Sequence, residues 1–112
     1  MTSTWTNREI LQRYFRGLID LECELIEQQP EIINQYRREN ANFVEEIKRV
    51  LDKFCEQLTP ELKDMYVSKY KENKPFIEFY NFVAPTSQIM ALNKELNVLV
   101  SRLERPQERL YA

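Results

Sequence analysis

Glycine occurs once in this chain of 112 residues, at Gly17, and that scarcity restricts the fold more than any other feature. Tight hairpins need backbone positions at positive φ, which glycine adopts without steric penalty. A chain with so few residues suited to them lacks the corners of a β-rich domain. The expectation is an all-α fold in a single domain, residues 1–112. Hydrophobic residues make up 43% and charged ones 30%, enough to build one core and to solvate the outer faces of helices.

Periodicity divides the chain into five expected helices. "TNRE" is a capping box, with Thr6 accepting and Glu9 reaching back, and the first helix is expected to run to about Gln28. Leu11, Tyr14, Leu18, Leu21 and Leu25, widened by Phe15 and Ile26, form its expected buried stripe. Trp5 precedes the cap, either as a staple against Ile10 or as a partner anchor. A second helix restarts at Pro30, with Ile32, Ile33, Tyr36, Phe43, Ile47, Val50, Phe54 and Leu58 inward and Asn40 on the same stripe. Residues 7–58 thus read as a long helical pair. Thr59 and Pro60 open a third helix, with Leu62, Met65, Tyr66 and Tyr70 inward, ending in the tract Lys69 to Lys74.

Pro75 begins an expected short fourth helix, "PFIEFYNFV", too apolar to be exposed all round. Pro85 disfavours the α conformation at Ala84, so a fifth helix is expected from Thr86 or Ser87 to about Glu104. Its apolar stripe is Ile89, Leu92, Leu96, Leu99 and Leu103. Ser87, Ala91, Lys94, Val98, Ser101 and Arg105 fall on another face. Residues 59–104 form the C-terminal part, and 105–112 read as a tail.

Several function classes are disfavoured. The chain has no His, no Gly-rich phosphate loop and no nucleophile beside a recognisable base, so no enzymatic activity, cofactor, metal or small-molecule substrate is expected. Cys23 and Cys55 lack metal-ligand spacing and read as buried reduced thiols. No apolar run approaches a membrane span and "MTSTWTNREI" has no signal-peptide pattern, so a cytoplasmic protein without membrane contact is expected. Net charge is −2, against a strongly cationic coat. Residues 1–58 carry 8 basic and 11 acidic side chains, residues 59–112 carry 8 and 7. A polyanion partner is therefore best sought in the C-terminal half.

That half has the order of a helix-turn-helix: a helix with a basic end, a short aromatic helix, a tight turn and a helix that opens with short polar residues. A leading turn of Thr86, Ser87 and Gln88 would let the backbone approach base edges in a major groove. Gln88 would address adenine, Ala91 a thymine methyl, and Lys94 a phosphate or guanine. Lys63, Lys69, Lys71 and Lys74 would attract the flanking phosphates.

Residues 58–103, through "KYKENK", "FIEFYNFV" and "LNVLVSRL", resemble region 4 of sigma factors and the related C-terminal domain of RinA- and ArpU-type phage transcriptional regulators. The resemblance implies binding to double-stranded promoter DNA, control of late genes in a phage or mobile element, and contact with RNA polymerase. The alternative is a small helical adaptor or inhibitor of a host protein, of a kind small viral proteins provide, without DNA contact. Under either reading residues 7–58 are the expected partner or homodimer element.

Overall fold

In the computed structural model residues 5–28 and 35–105 are described, with only the backbone for 35–39. Helix α1, Asn7–Phe15, begins as its capping sequence requires: Thr6 is extended and its hydroxyl accepts from the Glu9 amide at 3.1 Å. It does not continue to Gln28. Gly17 adopts φ +82°, and the Arg16 and Gly17 amides donate back to Gln12 and Tyr14. This left-handed glycine closes the helix in the manner of a C-terminal cap, and α2, Leu18–Gln28, starts immediately after it.

The break changes the phase of α2. Ile19 and Cys23 are buried and Ile26 is partly buried against the core, while Leu18, Leu21 and Leu25 remain 42%, 55% and 59% exposed. Of the expected stripe, Leu11 and Phe15 are buried and Tyr14 and Ile26 partly so, whereas the three leucines point outward. A single straight helix would keep residues three and four apart on one face; the left-handed corner at Gly17 interrupts that rule.

Helix α3, Gln35–Cys55, is the longest described element. It buries Phe43, Val44, Ile47, Leu51 and Phe54. Its expected origin at Pro30, with Ile32 and Ile33, lies outside the described residues, as do the Tyr36 side chain and the tail beyond Arg105. Helix α4, Pro60–Lys71, has Thr59 as N-cap, accepting from the Leu62 amide at 3.2 Å, with Pro60 in the first turn. Leu62, Met65 and Tyr66 are buried as their spacing predicts.

The expected fourth helix is replaced by a single 3-10 turn, Phe76–Glu78, and a corner. Phe, Ile, Tyr and Asn all have modest helix propensity, and two asparagines, Asn73 at φ 58° and Asn81 at φ 64°, take left-handed conformations. Asn81 has a second task. Its side-chain oxygen accepts from the backbone amide and hydroxyl of Thr86, both at 3.3 Å. It thereby caps α5, Thr86–Ser101, whose own N-cap position is Pro85 and offers no side-chain bond.

All described helices are α-helices apart from that one turn, and they are five, as expected, but divided differently: the first expected helix is two, and the fourth is not a helix. Helix α1 touches all four others, α2 lies along α3, and α5 reaches both α1 and α3. One continuous buried cluster joins Ile10, Phe15, Ile19, Ile47, Leu51, Tyr66, Ile89, Leu96 and Val100. Phe15 stacks on both Tyr66 and Tyr70, with ring centroids 5.4 Å apart in each case, and Phe54 and Phe76 meet Tyr66 edge-on. Trp5 packs edge-on against Phe43 at 5.0 Å, with the Arg13 guanidinium over its ring.

Polar links join the helices at the edge of this core. The fully buried Tyr66 donates its hydroxyl to Asn93 Oδ1 at 2.7 Å. Tyr14 donates to Asp52, and Lys48 spans Asp20 and Asp52 at 2.8 Å each, tying α2 to α3. Arg105 folds back to Asn7 and the Trp5 carbonyl, so it belongs to the helical body. Cys23 and Cys55 are buried free thiols. No described helix is long and apolar enough to cross a membrane.

Candidate functional site

Three surfaces carry the residues that bear on function. The first is the outer face of α5. Ser87, Gln88, Ala91 and Lys94 are exposed there, and Met90 and Val98 lie beside them at 59% and 39% exposure. Thr86 is partly buried and holds Asn81. Four of the five expected base-reading residues thus share one uncovered face, while Thr86 is occupied with capping. Within Thr86–Ser101 the one cation is Lys94, next to Glu95, and the exposed Arg102 follows at the C-cap. Helices α1 and α3 pack against α5, Tyr66 of α4 donates to its Asn93, and the aromatic segment between α4 and α5 forms no α-helix.

The second surface surrounds the C-terminus of α4. Lys69 lies over the rings of Phe76 at 5.2 Å and Tyr70 at 6.0 Å. Lys71 is exposed, and Lys74 pairs with Glu72 at 3.1 Å. From α1, Arg16 donates to the Tyr70 carbonyl at 2.8 Å, and Arg8 is close enough to oppose the upward push of burial on the Tyr70 hydroxyl. The charge pattern within residues 59–112 could not reveal these two arginines, because they come from the other half of the chain. Cations at a helix C-terminus are stabilised by its unsatisfied carbonyls, so part of this cluster serves the fold. Lys63 stands apart near the start of α4, where its charge acts on Asp52 and Cys55.

The third surface was expected to be core. On α2, Leu18, Leu21 and Leu25 repeat at three and four residues and stand uncovered. The helix carries Asp20, Glu22, Glu24 and Glu27 and no Lys or Arg. Asp20 is engaged by Lys48, and Glu22 lies 3.7 Å from Arg13; Glu24 and Glu27 are exposed and form no ion pair among the described residues. Two further apolar side chains, Ile77 and Phe82, project from the corner between α4 and α5, Phe82 at 90% exposure.

The ionisable groups with displaced titration are structural in setting. Burial raises the Tyr14 hydroxyl, and its bond to Asp52 adds to the effect. Burial also pushes the Asp52 carboxyl up, but hydrogen bonds from Lys48 and Tyr14 outweigh it and leave that carboxyl below its usual range. Burial raises the thiols of Cys23 and Cys55, which leaves them protonated and poorly nucleophilic. Among the described residues no buried side-chain nitrogen or oxygen lacks a hydrogen-bond partner, and no group of His, Cys, Asp and Glu is arranged to hold a metal. Comparison with family models, curated proteins and solved structures finds no match to this chain.

Proposed function

We propose that the protein is a helical protein-binding module, an adaptor or inhibitor that works by occupying a partner through the leucine face of α2. The observation that carries this reading is the uncovered row Leu18, Leu21 and Leu25, at helical spacing on an element whose other face is already buried. Clustered apolar exposure of this kind marks interaction surfaces, whereas scattered exposed leucines are ordinary. Covering the exposed parts of these three side chains is worth roughly 2–5 kcal/mol. That is a useful anchor but does not by itself offset the cost of association, so neighbouring groups must contribute. Photo-crosslinking from position 21 in the cell of origin, with position 53 on the exposed side of α3 as control, tests the reading. A partner captured from 21 and not from 53 should bind Leu21→Asp at least about tenfold more weakly than wild type, with unchanged thermal unfolding. Equal affinity of the two proteins would refute it.

A second reading, a DNA-binding transcriptional regulator of phage or mobile-element type acting with RNA polymerase, draws support from one observation: Ser87, Gln88, Ala91 and Lys94 share the outer face of α5. Lys69, Lys71 and Lys74, joined by Arg8 and Arg16, would then meet phosphates. Fluorescence anisotropy with duplexes from the source replicon and a scrambled control, across a salt series, tests this reading. Under it, Gln88→Ala alters sequence preference and Lys71→Glu weakens all duplexes about equally. Unaltered binding of every duplex by both variants, or no binding at low salt, removes it.

A further inference from the structure

We infer that the α2 face takes a cationic amphipathic helix: a partner segment with an apolar stripe flanked by Lys or Arg. The inference rests on the protein-binding reading and names the partner chemistry of that site. At about 100° per residue, Leu18, Leu21 and Leu25 lie within an arc of about 60°, with Glu22 about 40° beyond one edge and Glu24 about 60° beyond the other. The stripe is therefore bordered on both sides by carboxylates. No basic residue interrupts it, because α2 has none.

Among the described residues the cations near α2 are already committed. Arg13 bonds Glu9 at 2.9 Å and reaches Glu22 only at 3.7 Å, and Lys48 is held between Asp20 and Asp52. Glu24, exposed and with no ion pair among the described residues, has charge to offer a partner. The leucines span two helical turns, about 10 Å, so they match a partner helix of two to three turns that presents its own apolar face at the same spacing.

A second copy of this chain fits less well. Apposing α2 with α2 would bring Asp20, Glu22, Glu24 and Glu27 of both copies together with no basic side chain on either helix. Like charges across an interface disfavour the pairing. The same acidic border that repels a second copy attracts a basic helix.

The test uses the full chain and two labelled synthetic peptides of about four turns. Both carry one leucine stripe, flanked by Lys in one and by Glu in the other. Binding is read by anisotropy at low and physiological salt. The expected result is binding of the Lys-flanked peptide at least about tenfold tighter than the Glu-flanked one, weakening with salt. Leu21→Asp should cost about tenfold or more, and the double variant Glu22→Gln/Glu24→Gln about threefold or more, narrowing the preference. These residues are on the surface, and circular dichroism with thermal unfolding verifies that the variants fold.

Equal binding of both peptides, insensitive to the double variant, would overturn the charge inference and leave the protein-binding reading standing. No binding of the Lys-flanked peptide also overturns it, and crosslinking from position 21 then judges that reading separately. A dimer in sedimentation that Leu21→Asp dissociates would overturn the inference in favour of a second copy.

Discussion

Replacing Gly17 separates a helix that ends from a helix that continues. At φ +82° an L-alanine suffers the left-handed penalty of about 1–2 kcal/mol. A Cβ at this position would meet no atom within 4 Å, so packing adds nothing to that cost. Reduced freedom of the unfolded chain returns about 0.4–1 kcal/mol. The net expectation for Gly17→Ala is a loss of about 1 kcal/mol. D-alanine adopts positive φ readily, so it keeps the unfolded-state gain without the penalty and should stabilise by about 0.4–1 kcal/mol. Cys23 provides the junction: residues 1–22 carrying either alanine are synthesised and ligated to expressed residues 23–112. Urea unfolding followed by circular dichroism then gives the midpoint at fixed slope. Were the helix continuous through position 17, L-alanine would instead stabilise by about 1 kcal/mol and D-alanine would destabilise. That reversal would refute the corner, and with it the outward phase of Leu18, Leu21 and Leu25.

Three further outcomes are expected. Tyr66→Phe removes the hydroxyl that meets Asn93 inside the core and should cost about 1–3 kcal/mol in urea unfolding; an unchanged midpoint would mean that this bond is negligible. Asn81→Gly keeps the left-handed backbone but loses the α5 cap, whereas Asn81→Ala loses both, so the alanine variant should be the less stable by about 1 kcal/mol. Finally, the Asp52 carboxyl lies below its usual range, so its contribution holds above the ordinary carboxylate range near pH 4 and is lost as pH falls through the lowered folded value. Lys48, raised by its bonds to Asp20 and Asp52, contributes fully below about pH 10 and loses that contribution as pH rises through its folded value. Lys48→Met should flatten the acid limb of stability against pH, and an unaltered limb would rule out this assignment.

The parts of the fold legible in the sequence were those set by local chemistry. The Thr6 and Thr59 caps, the Pro60 start and the inward Leu62, Met65 and Tyr66 follow from capping and period 3.6 alone. The start of α5 at Thr86 was legible through Pro85, although Asn81, five residues upstream, supplies the cap. The candidate surfaces were less legible. Lys69, Lys71 and Lys74 could be seen as a basic tract, but their neighbours Arg8 and Arg16 arrive through the packing of α1 on α4. The aromatic segment after Pro75 looked like a helix because apolar spacing alone does not distinguish a short helix from a folded corner.

By itself, then, the sequence determined the helical class, the Thr6 and Thr59 caps and part of the buried faces of α3, α4 and α5, because those depend on neighbours three and four residues away; the burial of Val44, Leu51 and Val100 emerged only in the fold. Only the tertiary structure decided the phase of α2. Its apolar residues, Leu18, Ile19, Leu21, Cys23, Leu25 and Ile26, encircle enough of the helix to offer two alternative inward faces. The left-handed corner at Gly17 and the Lys48 bridge from α3 to Asp20 are associated with the choice of Ile19 and Cys23. The leucines are left outside because packing against α3 can cover only one side of a helix.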